Sequence, residues 1–147
     1  MYGNNRKPGI HEGNKSRFAG TIWLGYPEST WFRTAKVKGD SPDDKPLPLG
    51  SIVKEEFSDG TFVPAKESDI AAAATGIPGP RLGIVADDNV KVNDQGSTVL
   101  IGISGQVDQG RLIVGAKKFP DLTDEQKVHL REQLEAWGFA LEVVQQS

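Results

Sequence analysis

Two histidines, His11 and His129, are the only side chains here that ordinarily titrate near neutral pH, and there is no cysteine. A Ser–His–carboxylate or Cys–His system needs an ordered histidine beside its nucleophile. His11 stands among Gly, Asn and Lys, and His129 falls one residue before the apolar face of the helix read below, where a side chain meets solvent. Neither has a seat beside a nucleophile. Asp87-Asp88-Asn89 with Asn93-Asp94 is the densest group of hard oxygen ligands. It lacks the Gly and closing Glu of an EF-hand calcium loop, so it reads as a β-turn. Gly76, Gly79 and Gly83 are interrupted by Pro78 and Pro80 with no Lys-Ser/Thr behind them, so they do not cradle phosphate. These residues predict no enzyme, no metal and no cofactor.

The remaining chemistry is binding. Arg17, Phe18, Trp23, Trp31, Phe32 and Arg33 mix cations with aromatics, a combination that can track a single nucleic-acid strand by stacking and charge neutralisation. The charge distribution opposes that use. Residues 1–38 carry seven Lys/Arg against Glu12 and Glu28, a net of +5, so the rest of a chain with net charge −3 carries −8 and would repel a polyanion. A basic arm on an acidic body points instead to an arm that meets an acidic partner surface, or else to a solvated tail. The aromatic cluster around Phe18, Ile22, Trp23, Leu24, Tyr26, Trp31 and Phe32 reads equally as core or as a contact patch.

Elements must position these residues, and the clearest lies near the C-terminus. Thr123 and Gln126 have capping-box spacing, and Asp124 and Glu125 put negative charge at the positive end of a helix dipole. Leu130, Leu134 and Trp137 then share one face, and Gly138 suits the left-handed position after a helix, which predicts a helix over about 123–137. Phe139 to Val144 reads as a strand. Seventeen Gly and nine Pro fit many turns rather than a helical bundle.

Upstream, residues 1–17 show no periodicity. Thr21–Leu24 and Trp31–Lys38 read as short strands about a turn at Tyr26–Ser29. Residues 39–49 form a proline-rich linker that excludes a central strand. From Gly50 onward short β segments recur: Ser51-Ile52-Val53, then Asp59-Gly60 as a hairpin turn into Thr61-Phe62-Val63 ended by Pro64. Ala71 to Ala74 reads as one helical turn, and Leu82–Val85 and Thr98–Ile103 read as buried strands. Gln106-Val107 and Leu112–Val114 are shorter candidates. The predicted fold is mainly β (α+β): a small barrel or sandwich over residues 48–147 with one helix, and an extended N-terminal arm over residues 1–47. No run is apolar enough to span a membrane, and Met1 to Lys7 has no apolar stretch behind it, so no secretory signal is expected.

Taken in order, these segments resemble the head decoration (capsid cement) proteins of lambda-like tailed phages, from about Pro48 to Val144. Pro48-Leu49-Gly50-Ser51-Ile52-Val53 followed by Gly60-Thr61-Phe62-Val63-Pro64-Ala65 is similar to that family's Gly-x-Val, then Gly-Lys-Tyr/Phe-Val-Pro opening. Leu82–Val85 resembles its Gly-Ile-Leu strand, and Val99 to Val107 its Val-Leu-x-x-Gly-Glu-Val strand. Phe119-Pro120, Leu122-Thr123-x-x-Gln126-Lys127 and Leu134-x-x-Trp137-Gly138-Phe139 are similar to its Trp-Pro-x-Gly-Ile-Thr-x-x-Gln-Lys…Leu-x-x-x-Gly-Ile ending. Phe119 stands where the family usually has Trp, and the segment over 1–47 is longer than in compact members.

The resemblance implies a homotrimer on three-fold and quasi-three-fold positions of the outer capsid. It would be made in the host cytoplasm and would bridge major capsid protein subunits without catalysis, cofactor, membrane or nucleic acid. On that reading Arg17, Phe18, Ile22, Trp23, Leu24, Tyr26, Trp31 and Phe32 are the arm's capsid-binding residues, and Thr123, Gln126, Leu130, Leu134, Trp137 and Gly138 are structural. The arm would order by adding a strand to a sheet edge of the capsid protein. A head-fibre or tail component shares the β-rich, cysteine-free character but should trimerise through a longer repetitive region. A small nucleic-acid-binding β barrel is the other alternative.

Overall fold

The computed structural model describes residues 22–24, 30–56, 59–72 and 79–144. Ten strands and one α-helix lie within them. The strands are β1 (Trp31–Val37), β2 (Lys45–Leu47), β3 (Ile52–Glu55), β4 (Phe62–Pro64), β5 (Leu82–Val85), β6 (Val90–Val92), β7 (Ser97–Asp108), β8 (Ile113–Val114), β9 (Lys117–Lys118) and β10 (Phe139–Glu142). The helix, α1, spans Asp124–Ala136. The sheet order β1-β4-β3-β5-β7, with β1 also paired to β7, closes a five-stranded barrel, and β10 continues from β7. β2 pairs with β6, and β8 with β9, as two small outlying ladders.

β7 organises the molecule. Its first part pairs antiparallel with β1, from Val37 opposite Ser97 to Trp31 opposite Ser104, and with β5 at Ile84–Gly102 and Val85–Ile101. Its last four residues pair in parallel with β10, from Phe139 opposite Gly105 to Glu142 opposite Asp108. Parallel neighbours need a crossover. The chain between β7 and β10 supplies it with α1, whose Leu130 and Leu134 are buried.

Two apolar clusters follow from strand alternation, because successive side chains point to opposite faces. Val37, Val53, Phe62, Val85, Val99 and Ile101 fill the barrel interior. Ile52, Ile84 and Val107, one residue out of phase or farther along the same strands, join Leu112, Phe119, Leu122, Leu130, Leu134, Phe139 and Leu141 on the α1 side. β3 and β5 are therefore covered on both faces. That is why Leu82–Val85 reads as a continuous apolar run rather than an alternating one.

The ends of α1 are built from their own residues. Thr123 Oγ1 accepts from Gln126 N–H at 3.1 Å, and Gln126 Oε1 accepts from Thr123 N–H at 3.0 Å. Trp137 is the C-cap, and Gly138 has φ of +96°, a left-handed conformation that costs glycine little. Arg131 ties the helix outward, donating to Gln109 Oε1 at 2.6 Å.

Several sequence expectations need correction. A division at residue 47 does not follow the packing: β1 is a full barrel stave and β2 a partner of β6, so residues 31–47 belong to the body. Residues 39–49 hold no central strand, as expected, and the short β2 within them tolerates Pro46 because it is the edge of a two-stranded ladder. Gln106-Val107 is not a separate strand but the end of β7. Ala71 and Ala72 are not helical, while Ala73 and Ala74 lie outside the described residues. β10 stops at Glu142, so Val143 and Val144 follow the strand with exposed side chains.

Candidate functional site

Of the candidate binding residues, those described from Ile22 to Leu24 and from Trp31 on lie along one edge of β7. Leu24 N–H donates to Gln106 O at 3.0 Å, Asp108 N–H donates to Ile22 O at 2.9 Å, and Trp23 bridges to Val107. β1 resumes on the same edge with Trp31 opposite Ser104. Two segments of one chain thus pair one edge of β7 in antiparallel sense, and Gly25 to Thr30 join positions that are neighbours on the ladder.

The eight proposed contact residues fall into three groups. Arg17, Phe18 and Tyr26 lie outside the described residues. Ile22 and Trp23 are each only 2% exposed and belong to the body's own core, so neither is free to bury surface against a partner. This overturns their assignment as capsid contacts. Apolar type alone cannot separate an inward ring from an outward one, and the neighbour that takes up Trp23 lies far away in sequence. The Trp23 indole stands edge-on to Phe32, with ring centroids 5.3 Å apart at 81°, and tilted against Phe139 at 6.3 Å. Phe32 is half-buried and packs on the same cluster, which leaves it a structural role rather than the contact role expected of it.

Leu24 and Trp31 form the third group. Trp31 is 68% exposed and Leu24 is 40% exposed, and they sit beside Ser104 and Gln106 of β7. The register of β1 against β7 shifts between Trp31 and Phe32. Such an irregularity re-aims a side chain. Here Phe32 packs on Trp23, and the ring before it meets solvent. An exposed indole is the kind of side chain that often carries the binding energy of a protein interface.

Among the described residues no group of three His, Asp or Glu side chains could hold a metal ion. Asp87 accepts from Leu100 N–H at 2.8 Å, and Asn93 accepts from Gln95 N–H at 2.9 Å while donating to Asp44 at 2.8 Å. These are turn and strand contacts. Asn89 takes a left-handed φ of 58°, which suits its place before β6. Backbone and side-chain hydrogen bonds from Thr61 hold the Asp59 carboxyl below its ordinary range.

Among the described residues no helix is long and apolar enough to cross a membrane. Compared with known proteins, the chain is matched by no family model and by no curated protein.

Proposed function

We propose that this protein decorates the outer surface of an expanded phage head. It would bind at three-fold and quasi-three-fold positions as a homotrimer and bridge neighbouring major capsid protein subunits. The observation that carries the reading is the order and spacing of the motifs from Pro48 to Val144, which resemble those of lambda-like decoration proteins. Among the described residues they fall on a small closed barrel with the helix α1. The rigid, exposed Trp31 beside Leu24 supplies a contact of the kind such bridging needs.

The mechanism is thermodynamic rather than chemical. A protein that binds only the assembled shell stabilises it by mass action. Three copies of one modest contact in a trimer act together through effective concentration. Because Ile22 and Trp23 are already buried in the body, the apolar contribution on the capsid comes from Trp31 and Leu24, at about 25 cal/mol per Å² buried. Sedimentation of purified protein with expanded, undecorated capsids tests the reading. Saturable co-sedimentation with raised thermal resistance of the particles is expected. Protein that stays in the supernatant while the particles melt as before would reject it.

A further inference from the structure

β4 is a barrel stave only at its start. Against β1 it has a single pair, Val37 with Phe62, extended by Lys38 N–H donating to Phe62 O at 2.9 Å. Beyond that pair the chains diverge and a cleft of about 630 Å³ opens between β4 and β2. In the β3–β4 ladder the bonds fall on alternate residues: Glu56 N–H donates to Thr61 O at 2.9 Å, and Ala65 N–H donates to Ile52 O at 2.9 Å. Antiparallel alternation then turns the polar groups of Phe62 and Pro64 away from β3. The Phe62 carbonyl accepts from Lys38, and the Pro64 carbonyl faces the cleft. Pro46, Pro48 and Pro64 on the lining have no N–H, so these positions donate no hydrogen bond to the cleft, and the Pro48 carbonyl already accepts from Ser51 N–H at 3.0 Å.

The floor is apolar, formed by the buried Leu47, Ile52 and Val92. The rim is basic. Lys54 is neutralised, with Nζ 2.7 Å from Asp69 and 3.8 Å from Glu56. Lys38, Lys45 and Lys66 have no carboxylate within 4.0 Å among the described residues, and Asp40 is the one remaining acid on the lining. Four ammonium groups against three carboxylates leave the lining with a net charge of +1 on a protein of net charge −3, and three of the four lysines carry no ion pair among the described residues.

We propose that the cleft binds an extended, acidic polypeptide segment of a partner protein. A peptide meets every demand of the lining: its backbone N–H groups suit the Pro64 carbonyl, its carboxylates suit the three lysines, and its alkyl side chains suit the floor. A polynucleotide meets fewer, since no aromatic ring lines the cleft for a base to stack on. A small anion would leave the floor uncovered. The proposal needs no capsid, so it stands or falls separately from the decoration reading.

The test uses the full chain and a labelled peptide of alternating Glu and Leu, about eight residues and roughly 26 Å long when extended. Fluorescence anisotropy at low salt should show binding that Lys38→Ala/Lys45→Ala/Lys66→Ala weakens at least tenfold and that Arg at the same three positions retains. Titrating unlabelled peptide into the isotope-labelled wild type should move the amide resonances of Gly39, Ser68 and Gly115, a readout that requires no variant. Absence of binding, equal binding of a Lys-Leu peptide, resonance changes confined to other surfaces, or displacement by oligothymidylate or inorganic phosphate at lower concentration would each overturn it.

Discussion

At Gly102 there is no room for a side chain, because a Cβ there would run into the indole of Trp23. Gly102 lies on β7 opposite Phe32 and Ile84, so its bare backbone is the shelf on which residues 22–24 rest. Gly102→Ala should cost about 1–3 kcal/mol by overpacking. The change should appear as a lower urea midpoint at unchanged slope. With Leu in place of Trp23 the same substitution should cost much less, because the two positions share one contact. Equal costs in both backgrounds would show that the ring does not rest on this glycine. Position 102 was legible in the sequence as part of a buried strand, but its partner was not: glycine within an apolar run says that something approaches closely, not what. Trp23 and Trp31 illustrate the same limit. Eight residues apart and equally aromatic, one ends inside and the other outside.

Among the elements, α1 was readable almost to the residue because its signals are local: a capping box, an apolar face of period 3.6 and a closing glycine. β8 falls within the apolar run Leu112–Val114 read as a short strand, whereas β9 has two exposed lysines, too few residues to show any period, and exists because β8 holds it. β3 is joined to the 3-10 turn Glu67–Asp69 by the Lys54–Asp69 pair. Partial burial acts to raise the Asp69 carboxyl, but hydrogen bonds from Lys54 and the Lys66 N–H, with the charges of both lysines, outweigh it and leave the group below its ordinary value. A carboxyl depressed on folding adds stability above its unfolded pKa, about 3.9 for Asp. That stability disappears as pH falls through the folded value. Asp69→Asn should therefore lower stability by about 1 kcal/mol at neutral pH. The gap between the wild-type and variant melting curves should close on acidification below the ordinary Asp range. A gap that persists or widens there would refute the pair's role.

For the whole molecule, the decisive event is closure of the barrel by β1, which joins residue 37 to residue 62 and residues 31–37 to residues 97–104. Ile22, Trp23 and Phe32 pack into the cluster on the α1 side, and Trp31 is left exposed. Trp31→Ala should reduce binding to expanded capsids at least about tenfold, as loss of an interface hot spot does. The melting temperature should hardly move, since the ring is 68% exposed. A variant that binds as well as wild type would remove Trp31 from the interface, and one that unfolds would give it a core role instead. By itself the sequence determined the mainly β class, the helix α1 with its caps, the hairpin at Asp59-Gly60 and the buried runs of β5 and β7, because each depends on residues within a turn or two of one another. Only the tertiary structure decided that residues 31–47 join the body, that β7 serves two neighbourhoods, which tryptophan faces outward, and that a lysine-rimmed cleft opens beside β4. Those outcomes depend on which distant segments meet, and the free energy of burial depends on area removed from water, whatever the distance along the chain.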